Sequence, residues 1–396
     1  MPALVSSFIP AAGDTPDRGE RDGVIELWQV LSTLSDPRDR RGVRHDLATV
    51  LALAVAGVSA GARSLVAIAA WAGDLPRAYW SRFGVRRCTP TAATFARPLA
   101  RVDPDVLDAV LGAWTTAAAG DLARQAAIAV DGKSARGARR GDGSRVHLFA
   151  AITHGTAIPL GQVATATKGY EIAAFATLLD RVDLHGRVIT TDALHTQRSH
   201  AHYLHRHGAH YAFTVKRNQP SLHERLAALP WAQVPIGHVS LEHGHGRTEH
   251  RTVQLISAVH PRLGFPHARL AARIVRTRTT SAGVRTREVV YAISDLSDQQ
   301  ADAARIGELV RGHWVIENQL HWIRDVTFDE DHHQLRTGAA PQAMASLRNT
   351  VLALLRIAGA PTISTTTAAL SRRMRRVLAV LDPQPRTILT SRQGRL

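Results

Sequence analysis

Three acids stand out by where they fall along the chain: Asp131, Asp192 and Glu317. Asp131 closes the apolar run of residues 126–130, Asp192 follows Arg-Val-Ile-Thr-Thr at 187–191, and Glu317 lies in a long helical pattern. On that helix Ile306, Leu309, Val310, His313 and Leu320 share the side of Glu317, so the glutamate is expected to face inward. A lone carboxylate after an apolar run is costly to bury unless it is paired or bound to a cation. Acids converging from separate elements can hold two hard divalent ions about 4 Å apart, the arrangement that serves phosphodiester chemistry without a covalent intermediate. Each aspartate alone reads equally well as a turn former at a strand end. Glu317 alone reads as a solvated helix charge or a partner of Arg324. The joint pattern favours a site.

The elements that must bring these acids together can be read from periodicity and punctuation. Residues 1–22 are polar, bear Pro and Gly, and are expected to be disordered. Residues 23–120 read as an all-α N-terminal domain, a candidate DNA-binding unit or, equally, a helical dimerisation unit. The uncharged run 47–62 is a buried helix, and another helix is announced by Thr89 as N-cap with Pro90 after it. From 121 to 216 the order is three strands, helix, strand, helix, strand. That is the order of an RNase H-like mixed-sheet α/β core. In it the strands ending at Asp131 and Asp192 are neighbours. Residues 217–287 form a β-rich insertion, 288–358 complete the core with the Glu317 helix, and 359–396 are a basic tail, expected to be partly helical and weakly folded.

Charge narrows the partner. The formal net charge is +16, with 49 Lys and Arg against 33 acids spread along the whole length. Such an excess points to a polyanion, nucleic acid or an acidic membrane surface. The longest apolar run is short of the roughly 20 residues a spanning helix needs, and no membrane role is expected. Only three lysines survive among the bases, Lys133, Lys168 and Lys216, which marks them as places where a compact ammonium is wanted. One cysteine excludes internal disulfides and multi-thiolate metal sites and suits a reducing, cytoplasmic compartment. The 21 histidines lack a completed zinc ligand set at usual spacing. The glycines around Lys133 lack the spacing of a nucleotide-binding P-loop. Trp314 and Trp322 are expected in the core.

Several segments together carry a family resemblance. Residues 313–322 (His-Trp-Val-Ile-Glu-Asn-Gln-Leu-His-Trp) and 325–331 (Asp-Val-Thr-Phe-Asp-Glu-Asp) closely resemble the catalytic-glutamate helix of the H-repeat-associated insertion-sequence transposases. Residues 129–133 (Ala-Val-Asp-Gly-Lys), 191–197 (Thr-Asp-Ala-Leu-His-Thr-Gln), 215–219 (Val-Lys-Arg-Asn-Gln) and 36–42 (Asp-Pro-Arg-Asp-Arg-Arg-Gly) also resemble that family. Around the glutamate the wider superfamily carries Tyr, Arg and Lys; here Val310, His313 and Arg324 stand at those positions. Lys168-Gly-Tyr-Glu171 is similar to the family's Lys-x-Asn-Glu, with Tyr170 in place of Asn.

The resemblance implies DDE transposition: Asp131, Asp192 and Glu317 as catalytic metal ligands, with two Mg²⁺ or Mn²⁺ ions as cofactor. It implies cleavage at the ends of a mobile element and joining of the freed 3′-hydroxyl to target DNA. DNA, as terminal inverted repeats and as target, is the expected partner, bound by a homodimer on paired ends in a bacterial, nucleoid-associated setting. Lys133, Lys168, Lys216, His313 and Arg324 are expected to contact it near the acids. Arg38, Arg40 and Arg41 are expected to meet phosphates from the N-terminal domain, where residues 64–100 are a candidate helix-turn-helix. Arg247 and Arg251 are further candidates for backbone contact. Two rivals remain: a catalytically silent DNA-binding protein derived from such an element, and a nuclease that cuts without joining.

Overall fold

The computed structural model describes residues 23–381 apart from 42, 125, 140–144, 166–168, 245, 258–262 and 334. The expectations for residues 1–22 and 382–396 fall outside the described residues. Among the described residues five helices of two turns or more come first, α1 (Gly23–Ser32), α2 (Leu47–Ser59), α3 (Leu65–Gly73), α4 (Ala92–Leu99) and α5 (Pro104–Ala119), followed by a four-residue helical turn at Asp121–Arg124. Helix α2 has no charged residue on any face and is buried on every face. The N-cap of α4 is Thr91, whose side chain accepts from Thr94 N, so the helix starts two residues later than Thr89 and Pro90 announce. Between α3 and α4 lie residues 74–91, including a 3₁₀ helix at Arg77–Phe83. A helix-turn-helix joins its helices by a turn of about 3–4 residues, and this connection is far longer.

One nine-stranded sheet follows. Its strands are β1 (Ile128–Arg139), β2 (Arg145–Thr153), β3 (Pro159–Thr165), β4 (Val188–Thr191), β5 (His210–Val215), β6 (His238–Gly244), β7 (Arg247–Ser257), β8 (Leu270–Thr280) and β9 (Arg285–Ser294). The order across the sheet is β3-β2-β1-β4-β5-β9-β8-β7-β6. Strands β1, β4 and β5 are parallel, and every other pairing is antiparallel. This is the mixed-sheet, RNase H-like core behind an all-helical N-terminal region that the element order implies. The β-rich insertion is not detached: through β9 its strands continue the core sheet.

Alternation along β1 decides what the site can be. Ile128 and Val130 enter the core beneath α6 (Glu171–Leu179) and α7 (Arg198–Arg206), which α8 (Pro220–Ala227) shares, whereas Ala129 enters the opposite core. Asp131 therefore follows Ala129 to that opposite face, and Gly132 points toward α6. The opposite face is covered by α9 (Ala303–Gly312), by the helical segment that continues it, and by α10 (Ala340–Ile357). Ile316, Leu320 and Ile323 of the continuing segment share one core with Leu27, Leu31, Phe83 and Phe95 of the N-terminal helices. The tail is partly helical as expected, with α11 (Ile363–Leu370) and α12 (Met374–Val380), but not weakly packed there: Leu370 and Val377 are fully buried in that same core.

A buried ion network locks the far side of the Glu317 segment. Arg324, 1% exposed, makes a two-pronged contact to Glu330, with Nε and Nη2 donating at 2.8 and 2.7 Å, and Arg348 Nη1 reaches the same carboxylate at 3.2 Å. Burial would raise the Glu330 pKa, but the two guanidinium groups, with Lys133, hold it down to about 2. Removing one partner leaves a buried charge uncompensated, a loss of about 3–5 kcal/mol. Arg324→Leu is thus expected to lower the melting temperature sharply. Glu330 stabilises the fold fully above the usual carboxylate range near 4.5, and that contribution fades as pH falls from there toward about 2. Urea unfolding of wild type and Arg324→Leu between pH 2 and 6 checks both: the difference must shrink as pH drops.

Candidate metal centre and its cleft

The parallel pairing of β1 with β4 runs Ile128↔Ile189, Ala129↔Thr190 and Val130↔Thr191. Asp131 and Asp192 are the next residue on each strand, so they stand side by side where the pair ends. Asp131 does not close β1 as its apolar run suggests. The strand continues to Arg139 against β2, because Gly132, Lys133 and Ser134 pair with Phe149, Leu148 and His147.

Glu317 arrives from the continuation of α9. Its donor atoms and those of Asp131 and His321 lie within 4.8 Å of one another, forming the metal-competent cluster found among the described residues. His321 Nδ1 stands 3.6 Å from Asp131 Oδ2 and 3.5 Å from Glu317 Oε2, and its buried Nε2 has no hydrogen-bond partner among the described residues. The two hard carboxylates fit a Mg²⁺ or Mn²⁺ ion in donor type, whereas the imidazole is a ligand that softer transition-metal ions take more readily. Asp192 is outside this tight group. It lines the same cleft as Asp131 and Glu317, and its Oδ1 accepts from Leu194 N at 3.0 Å, capping the short turn Ala193–His195.

The electrostatics of the cluster are those of crowded like charges. Burial pushes the Asp131 carboxyl up to about 8, with the charges of Glu317 and Asp192 adding to the effect. A hydrogen bond from His321, against some burial, holds Glu317 down to about 2, and the Asp131 carboxyl also donates to it. The pair shares one proton. Glu317 is more open than an inward-facing stripe implies: its side chain is 53% exposed, looking into the cleft.

The winding of this segment explains the departures. Residues 317–321 and 323–327 form π-helical turns. Each inserted residue rotates the rest of the helix by about 100°, the angular step of one α-helical residue, and such turns gather at functional sites. Spacing by 3.6 therefore fails beyond Glu317. Arg324 does not lie on the glutamate's face; it is buried against Glu330 and cannot grip a phosphate. Trp314 and Trp322 are not core residues but 56% and 54% exposed, since Ile316, Leu320 and Ile323 take the inward side.

The other expected contacts divide. Lys133, 8% exposed, is held by Asp325 at 2.6 Å and Asp331 at 3.5 Å, so its ammonium is committed inside the protein. Lys168 lies outside the described residues. Lys216 is exposed and lines the cleft. His313 also lines the cleft; burial lowers its pKa to about 4, so it is a neutral imidazole near neutral pH, and its Nδ1 lies 3.4 Å from Thr190 Oγ1. Arg38 is tied to Asp36 and to the carbonyl of His45, whereas Arg40 and Arg41 are exposed; none of the three lines the cleft.

The cleft, about 1030 Å³, has a basic wall that only the sheet assembles. On β7, Arg247, Glu249 and Arg251 share a face, with Arg278 and Arg276 of β8 opposite Glu249 and Arg251. Burial opposes it, but the surrounding arginines hold the Glu249 carboxyl below its usual range. Lys216, Arg247, Arg251, Arg276, Arg278 and Arg311 line the cleft against Glu242, Glu249, Glu288 and Glu308, an excess of cations facing the acid cluster. The only signal of the β8 arginines in the sequence is their alternation with apolar and hydroxyl residues at 270–280.

Residues 28–115 match the model of the DDE_Tnp_1-associated family, and residues 123–354 match that of the transposase DDE domain. The chain belongs to the DDE transposase family. It is 28% identical over 359 residues to the putative transposase YncI of Escherichia coli O157:H7, covering 84% of this chain and 88% of that protein. It is 26% identical over 345 residues to the H repeat-associated putative transposase YhhI of Escherichia coli strain K12, covering 83% and 90%. The piggyBac transposase in a synaptic complex with hairpin DNA overlays at a TM-score of 0.42 and 11% identity, over 94% of this chain and 80% of that one. Among the described residues, no helix of this family member is long and apolar enough to cross a membrane.

The shared proton yields a pH test. A carboxyl with pKa near 8 in the folded state and an ordinary value when unfolded costs stability as pH rises from about 4 to about 8. Asp131→Asn is expected to remove that slope, so in metal-free buffer the mutant gains melting temperature relative to wild type toward pH 8. Parallel curves for the two proteins across this range would contradict the pairing.

Proposed function

We propose that this chain is an active transposase that cuts phosphodiester bonds at the ends of an insertion sequence and joins the freed 3′-hydroxyl to target DNA. The supporting observation is the convergence of Asp131, Asp192 and Glu317 on one cleft whose lining is also rich in arginine. Asp131 and Glu317, with Asp192 beside them, would hold the divalent ions, and His321 is placed to complete or orient the set. Bound divalent cations supply Lewis acidity to activate a water or 3′-hydroxyl and to stabilise the departing oxygen.

The chain's own groups do the rest. Lys216, Arg247, Arg251, Arg276, Arg278 and Arg311 offer phosphate contacts that would lay the strand along the cleft. These contacts carry no base identity, so recognition of the terminal repeats belongs elsewhere, with exposed Arg40 and Arg41 of the helical region as candidates. Neutral His313 can donate or accept a hydrogen bond at the cleft without adding charge. Pairing two ends suits a homodimer.

Purified protein with Mg²⁺ and DNA carrying the inverted repeats that flank its gene is expected to give joined products. Asp192→Ala should abolish joining by at least about 100-fold while leaving DNA binding intact, the scale of losing transition-state stabilisation at a catalytic group. Gel analysis separates the outcomes. Cleavage without joining would indicate a stand-alone nuclease; binding without cleavage would indicate a silent derivative; unaltered joining by Asp192→Ala would remove that residue from the site.

A further inference from the structure

Behind the cleft acids lies a polar chain in an otherwise apolar core. Glu171, the first residue of α6, is 3% exposed and both its oxygens are occupied. Oε1 accepts from His147 Nε2, and Oε2 accepts from His195 Nε2 at 3.1 Å. His147 Nδ1 accepts in turn from the Ser134 hydroxyl at 2.8 Å. His195 is fully buried and stacks on Phe149 with ring centroids 4.8 Å apart. Phe175 of α6 stacks on the neighbouring His200 at 3.8 Å. Burial pulls the Glu171 carboxyl upward, yet the two imidazole donors outweigh it and hold it down to about 2.

Every partner of Glu171 hangs from an element that carries a cleft acid or pairs with one. Ser134 lies three residues past Asp131 on β1, and His147 pairs with Ser134 across β2. His195 ends the turn that Asp192 begins. Gly132, next to Asp131, lies against the same group: a Cβ there would overlap Glu171 Oε1 and His147 Nε2. The strand can press on the carboxylate only because residue 132 has no side chain. Stability does not explain such a trio, because well-packed apolar residues of similar volume are commonly as stable or more so. What the trio supplies is fixed distance between two strand ends.

We propose that Glu171 is a positioning residue, which through His147 and His195 sets the separation of the Asp131 strand from the Asp192 turn and so the spacing at which the cleft acids meet a metal ion. This rests on the reading of the cleft as a metal site.

The test uses the full chain and Mn²⁺ binding followed by electron paramagnetic resonance, beside cleavage kinetics. Glu171→Gln keeps the shape but has one oxygen to offer two N–H donors. It is expected to weaken Mn²⁺ binding by about 10–100-fold, as loss of groups orienting metal ligands does. Circular dichroism and metal-free DNA binding should be unchanged, and cleavage should lose kcat rather than gain KM for DNA, with partial recovery at high Mn²⁺. Ser134→Ala, a milder cut at the far end of the chain, should weaken Mn²⁺ binding about two- to fivefold by the same logic and serves if Glu171→Gln does not fold. Folded variants that bind Mn²⁺ as wild type does, even with a lowered melting temperature, overturn the positioning role while the metal site stands. Wild type that binds no more Mn²⁺ than Asp131→Asn overturns the metal reading, and this proposal with it.

Discussion

Asp131 and Glu317 cannot both carry charge at short range in a half-buried corner, and the protein does not let them separate. Burial, with the charges of Glu317 and Asp192 added, pushes the Asp131 carboxyl up to about 8, while the His321 hydrogen bond keeps Glu317 at about 2. So crowded a pair of acids favours a small cation at that spot. Everything around the cleft resists relief by movement. Asp131 is fixed in the middle of a strand paired on both sides of its start, and Glu317 is pinned by a helical segment whose Ile316 and Leu320 are wholly buried.

That immobility comes from the sharing of one core. The helices before the sheet and the helices after it close over the same face, so the Glu317 segment is clamped between them rather than hung on an edge. The Arg324–Glu330–Arg348 network supports it from behind, with Lys133 tying the same region to β1. A cation expected to reach outward thus serves inward. The cleft keeps its own cations on another structure, the antiparallel strands β7 and β8, where they are interleaved with glutamates and held in place before any anion arrives. Side chains held in this way need little further ordering when a ligand binds.

Much of this was legible in the chain. Apolar runs ending in acids, three strands before a helix, and a helix carrying Glu317 are local patterns, and local patterns survive in sequence because pleat and helix have fixed periods. Those patterns determined the mixed sheet, the all-helical start, the family motifs, and the pairing of Asp131 with Asp192 at adjacent strand ends. Where the period itself changed, sequence reading failed. Beyond Glu317 a 3.6-residue repeat misplaces Arg324 and Trp322, because the π-helical turns do not keep it.

The tertiary structure alone decided the rest, because it depends on residues far apart in the chain meeting under burial. Only the fold could show that His321 joins Asp131 and Glu317 while Asp192 stands a step aside. Only packing could turn Lys133 and Arg324 from surface cations into buried partners of acids. The Glu171 carboxylate, marked in sequence only by the likeness of residues 168–171 to a family motif, acquires two imidazoles and a glycine-lined contact through three elements that no local rule connects. Sequence named the chemistry through residue type and spacing; distance and desolvation, which are properties of the folded whole, assigned which groups are free to perform it.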